Sequence, residues 1–364
     1  MRLVICSLVL ITAGLGGLPH EDGLSSCRPG RQRFALEQIP MALGWHGVAA
    51  VLYFQPEKLP ARAGLYLCGS ALGYFGTLAL SSRLPITAAQ AHLSTAFGYR
   101  GILAGHSLDA WLKFRPWSNR ILAMWFASVA GQVAGFVLAR NTSSGRAAFV
   151  SASTDLGIIQ GLCIGTIVND LIFHDSLWHA SPSVGILPGA LVGTAAGLVL
   201  SRSRHCSEAQ VMTARTFTLA GAILPGAAYY AVSGRTGRRD QSVIAGLASL
   251  GSIGGTLLGK HLTRTRILSD RQSFLVTGLG VGAGLAAAGL GYAGFRSTRV
   301  AAGLGAAGAA AGLAGSWLMV SSSGTQPTTL SRRVAISLDA LAIMYAGIST
   351  RTDFSARNLV SIRL

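Results

Sequence analysis

Gly193-Thr194-Ala195-Ala196-Gly197-Leu198-Val199-Leu200-Ser201-Arg202, followed four residues later by Ser207-Glu208-Ala209-Gln210, is the stretch that decides the fold. Its first half sets two glycines four apart in an apolar run, which places both on one face of a helix where another backbone can come close. A cation then ends the run, as favours a helix C-terminus. Its second half is a capping box: the Ser207 hydroxyl accepts from the amide three residues on, and Gln210 returns to the Ser207 amide. Reading outward, the glycine element recurs as Gly131-xxx-Gly135 to Arg140 and Gly251-xxx-Gly255 to Lys260. Looser copies are Gly73-xx-Gly76 to Arg83 and Gly308-xxx-Gly312. The steps between neighbouring copies are 57 to 62 residues, and Thr87-xx-Gln90 and Ser269-xx-Gln272 repeat the capping box.

The pattern predicts an all-α chain of about five helical hairpins with a period near 58 residues, closed by glycine zippers and forming a polytopic membrane bundle. Within each unit a glycine helix precedes a short basic turn and a capped helix. The predicted pairs are 64–82 with 87–106, 120–139 with 146–172, 185–202 with 207–232, 241–260 with 269–294, and 299–320 with 331–349, after a lead helix near 34–54. The zipper residues are Gly131, Gly135, Gly193, Gly197, Gly251, Gly255, Gly308 and Gly312. The chain thus divides into 1–27, a signal segment; 28–63, a lead segment with one helix; 64–350, the hairpin domain; and 351–364, a basic tail.

Composition supports lipid as the solvent. Half of the 364 residues are hydrophobic, 47 are glycine and only 12% are charged, where soluble proteins carry roughly 25%. Uncharged runs at 121–139, 241–259 and 272–295 have the length of a span. Glycine inside a helix costs about 1 kcal/mol against alanine in water, but in lipid small residues let helices touch. The within-hairpin turns carry eleven Lys/Arg, and the linkers between hairpins together with the tail also carry eleven, so charge bias sets no orientation. The net charge of +17 is spread between apolar segments, not gathered on one face, and no nucleic-acid motif accompanies it. The expected partner is the lipid membrane, with other envelope proteins or a second copy as further partners.

At the N-terminus, Met1-Arg2 and the apolar run 3–18 read as a signal peptide or signal anchor. Leu24-Ser25-Ser26-Cys27 resembles a bacterial lipobox, which makes Cys27 the candidate lipidation residue, although Pro19–Gly23 separates it from the apolar run. The stretch Ser82-Arg83-Leu84-Pro85-Ile86-Thr87-Ala88-Ala89-Gln90-Ala91, with Ser94-Thr95-Ala96-Phe97-Gly98, resembles an element of uncharacterised Gly/Ala-rich helical-hairpin proteins of Gram-negative bacteria. The resemblance spans 64–350. It implies the architecture and a bacterial cell envelope, and it implies no activity.

Motifs for chemistry are weak. Gly254-xxxx-Gly259-Lys260-His261 lacks the hydroxyl residue of a P-loop, and Gly303-x-Gly305-xx-Gly308 lacks the strand and the acid of a dinucleotide site. Asp170, His174, Asp175 and His179 surround one linker as metal-capable side chains, but the two histidines, five apart, do not share a helical face. No nucleophile–base pair stands out, and neither an enzyme activity nor a cofactor is expected. The charges inside apolar helices carry more information. Asp155 and Asp339 fall at matching places in their units, and Arg100 and Arg215 interrupt other apolar helices. Such charges form buried ion pairs that fix register, or line an ion path. The expected role is therefore structural or in assembly, with a channel or transporter as the alternative.

Overall fold

The computed structural model describes residues 29–322 apart from 83, 173–181, 204–205, 236, 265 and 267. Among these the chain is all-helical, without strands, and its ten helices form five antiparallel hairpins. The first is α1 (29–54) with α2 (59–81), each carrying one π-turn, Ala42–His46 and Leu72–Gly76. The next are α3 (Ala88–Leu112) with α4 (Trp117–Leu138), and α5 (Ser144–Ile172) with α6 (Ile186–Leu200). The last are α7 (Glu208–Ser233) with α8 (Arg238–Arg264), and α9 (Asp270–Phe295) with α10 (Thr298–Ser322).

Local chemistry sets the starts and the ends. Thr87, Ser207 and Ser269 each accept from the amide of Gln90, Gln210 and Gln272, and each glutamine returns to the cap amide. The odd helices α1, α3, α7 and α9 end on left-handed residues, Gln55, Lys113, Gly234 and Arg296, which reverse the chain within a few residues. These tight reversals fix the pairing, and here the expected hairpins are corrected. Each glycine helix closes on the capped helix before it, not on the one after it. The basic turns lead from one hairpin to the next, and the segment expected as a lone lead helix is half of the first hairpin.

The odd helices stack in chain order as an inner layer. Each of α4, α6, α8 and α10 also packs on the odd helix of the preceding hairpin. Six helices are long and apolar enough to cross a membrane: Trp117–Leu138, Ser144–Leu171, Pro182–Leu200, Arg239–Arg264, Asp270–Phe295 and Thr298–Ser321. The even helices turn large apolar side chains outward, among them Phe126, Val133, Leu191, Val192, Leu250 and Leu318, each at least 60% exposed. Gln38, Arg100, Ser128, Ser151, Asp155, Thr213 and Arg215 are buried within. Polar inside and apolar outside is the distribution that hydrocarbon solvates and water does not.

All eight expected zipper glycines face the hairpin seam. A Cβ on Gly131 or Gly135 would meet the carbonyl of Phe97 or Leu93, and on Gly193 or Gly197 the backbone of Ser153 or Val150. Gly251 and Gly255 lie against Gly221 and Phe217, and Gly308 and Gly312 against Ala283 and Leu279. Between α5 and α6 the seam is glycine on glycine, with Gly157 and Gly161 against Gly189 and Gly185.

Candidate functional site

Arg33, Arg100, Asp155, Glu208 and Arg215 stand in a charge network on four inner helices, buried at Arg100, Asp155 and Arg215 and half-buried at Arg33 and Glu208. Asp155, in the twelfth position of α5, is its centre. Its Oδ1 accepts from Arg100 of α3, at 2.7 Å from Nε and 2.6 Å from Nη2. Its Oδ2 accepts from Nε of Arg215 on α7 at 2.5 Å. Arg100 Nη2 also donates to the Ser151 carbonyl and hydroxyl at 2.9 and 2.8 Å. Both guanidiniums are at most 5% exposed. One carboxylate therefore ties three successive hairpins through charge-assisted bonds in a medium that weakly screens them.

Toward the N-terminal ends of the inner helices the network continues. Arg33 on α1 donates to both carboxylate oxygens of Glu208, the first residue of α7, at 3.0 and 2.5 Å. The same guanidinium reaches Glu37 Oε1 at 2.7 Å and His92 Nδ1 at 3.2 Å. A ring nitrogen that faces a guanidinium has to accept, so His92 stands here as a neutral imidazole. With Nδ1 facing Arg33, its proton sits on Nε2. That nitrogen, Arg100 Nη1 and Glu37 Oε2 are buried without a protein partner among the described residues. Three guanidiniums thus stand against three carboxylates, Glu37, Asp155 and Glu208, around a neutral imidazole. The ledger of charge is balanced, as burial demands.

Shorter rungs extend the polar seam between neighbouring hairpins. Gln38 donates to Thr95 at 3.2 Å, Thr213 to Ser273 at 3.0 Å, and Thr216 meets Thr277 at 2.6 Å. In the first hairpin the two π-turns lie against each other, with Gly73 on the ring of His46. The Trp125 indole donates to His46 Nδ1 at 2.9 Å.

Three of the four expected network residues, Arg100, Asp155 and Arg215, come together; Asp339 lies outside the described residues, as does Cys27. Sequence reasoning missed Arg33, Glu37, His92 and Glu208. The Arg33/Glu37 pair at i,i+4 was a readable signal, whereas nothing local marks His92. Of the metal-capable group, Asp170 accepts from Ser242 at 2.7 Å and the other three lie outside the described residues. Among the described residues no three metal-capable side chains gather. Gly254–Lys260 and Gly303–Gly308 are both continuous helix, so neither forms a phosphate loop. No family model, curated protein or solved structure matches this chain.

Proposed function

We propose that this chain is a non-enzymatic helical-hairpin protein of the bacterial cell envelope, with a structural or assembly role in the membrane. Glycine zippers close each hairpin in this reading, and the charge network locks one hairpin to the next. The observation that carries it is the occupancy of Asp155: both oxygens are held by guanidiniums from the helices on either side. A carboxylate so engaged fixes register and turns no free oxygen toward a passing ion. The outward apolar faces take lipid, other envelope proteins or a second copy as neighbours.

The second reading is a conduction path, and one observation favours it. Glu37 Oε2, His92 Nε2 and Arg100 Nη1 are a mixed set of buried donors and acceptors, the kind of set that ordered water satisfies. Asp155→Asn separates the two readings. In the structural role it lowers stability by about 3–5 kcal/mol, the usual cost of breaking a buried pair in soluble proteins, and wild-type vesicles pass no protons or ions above the empty-vesicle level. Wild-type vesicles with a flux that the substitution abolishes, at unchanged melting temperature, would establish conduction instead.

A further inference from the structure

On the side of the molecule where the odd helices begin, a cavity of about 630 Å³ opens between the turns that precede α5 and α7. Asn141, Ser143, Arg146, Ser201, Arg202 and Ser207 line it with Cys206, and none of the described lining residues is acidic. Glu208, the next residue in the chain, is engaged by Arg33 at 2.5 and 3.0 Å. Arg146 Nε is buried yet has no acceptor among the described residues, which leaves a guanidinium donor available to a ligand. Arg202 lies exposed on the cavity wall. The N-termini of α5 and α7, helices of 29 and 26 residues, add partial positive charge at the same place.

Directly beside the cavity, α4 and α6 end in exposed apolar residues. Val137 and Leu138 are 62% and 37% exposed, Val199 and Leu200 63% and 46%. A cationic polar cavity at the ends of apolar outward faces suits an amphiphile with an anionic head. We propose that this cavity binds the phosphate group of an anionic phospholipid, with Arg146 and Arg202 as its guanidinium ligands and the acyl chains along the ends of α4 and α6. The proposal rests on the membrane reading above. It adds a headgroup preference which that reading does not require.

The test uses the full chain reconstituted with equal phosphatidylglycerol and phosphatidylcholine, then released in mild detergent for native mass spectrometry of retained lipid. The expected result is enrichment of phosphatidylglycerol on the order of tenfold, given that one basic residue near a lipid surface contributes about a factor of five. Arg146→Gln with Arg202→Gln should bring retention to parity at unchanged helical content. Because Arg202 is exposed, Arg202→Gln alone should lower the enrichment severalfold even where the double variant does not fold. Equal retention of the two lipids by the wild type, or enrichment that survives both substitutions, overturns the site. Millimolar inorganic phosphate that raises the melting temperature where phosphatidylglycerol does not would make the ligand a soluble phosphate, and the lipid assignment fails. Carbonate extraction keeps the two readings apart. A chain that stays in the membrane without headgroup preference loses only the site, whereas one that washes off loses the membrane reading itself.

Discussion

The seam inside a hairpin and the seam between hairpins are built from opposite materials. Between α5 and α6, Gly157, Gly161, Gly185 and Gly189 bring backbone against backbone, with side chains contributing little beyond the Thr154–Thr194 hydroxyl pair at 2.9 Å. Between α3, α5 and α7 the helices are joined by side chains that reach across, Arg100 and Arg215 to Asp155. The first seam depends on the absence of atoms, and many small contacts summed along it hold it together. It tolerates a slide by one turn, since Gly157, Gly161 and Gly165 face Gly185, Gly189 and Gly193 at the same four-residue spacing and a slide sets glycine on glycine again. The second depends on a few atoms in fixed positions, and a slide by one turn would leave a charge unpaired. Closeness comes from one seam and register from the other.

The comparison breaks most completely if the glycine seam is filled. Gly161→Leu forces a side chain into the Gly185 carbonyl and the Gly189 backbone, and neither can yield without parting the helices. We expect no folded protein in size-exclusion chromatography, whereas Leu at Gly254, which has open space around it, should fold normally. Equal yields would mean that the glycines are not there for proximity. Next in size is Asp155→Asn, at about 3–5 kcal/mol by the buried-pair scale. Removal of all three charges together, as Arg100→Met, Asp155→Leu and Arg215→Met, should recover much of that loss while admitting more than one hairpin register, measurable by cysteine cross-linking between α3 and α5.

A smaller effect comes from His46, whose Nδ1 accepts from the Trp125 indole at 2.9 Å where α1 meets α4. His46→Ala should lower stability by about 1–3 kcal/mol, the usual cost of leaving a buried donor unpaired, whereas His46→Gln, which can still accept from Trp125, should lose less. Equal losses in the two variants would assign the effect to packing alone. The smallest effect is that of the neutral rungs: a double-mutant cycle on Thr216→Val and Thr277→Val should give a coupling of about 0.5–1 kcal/mol. A value near that of Asp155 would erase the distinction between a lock and a rung.

How much of this was legible followed from how local each signal is. The capping boxes at Thr87, Ser207 and Ser269 announce helix starts from four adjacent residues, and those starts are where the structure has them. The glycine rows mark a contact face for the same reason. Pairing was misread because an alternation of glycine helix and capped helix has the same period whichever neighbour each one closes on. The missing cue lay in the turns. Lys113 and Arg296 hold left-handed conformations, which composition does not announce in a residue other than glycine or asparagine. Arg100 and Arg215 were visible as interruptions of apolar helices. Their common partner was not, because only the stacking of three hairpins brings α5 between α3 and α7.

Asp155 also sets an order of events during synthesis. Arg100 is made 55 residues before it and Arg215 60 residues after, so α3 exists for a time without its counter-ion, whereas α7 finds the carboxylate already made. The helices that carry the arginines, α3 and α7, are not among the six that are apolar enough to cross a membrane alone, whereas α5, which carries the aspartate, is. In a bilayer the self-sufficient helices would need no partner to enter, and α5 would offer the charge that pairs α3 and then α7 beside it. The Arg33–Glu208 bridge, 175 residues apart in the chain, closes only after seven helices are in place. In the membrane reading the same carboxylate that holds the finished protein in register would also act as a checkpoint in its insertion, and a chain cut before residue 155 would leave the Arg100 guanidinium of α3 without its carboxylate.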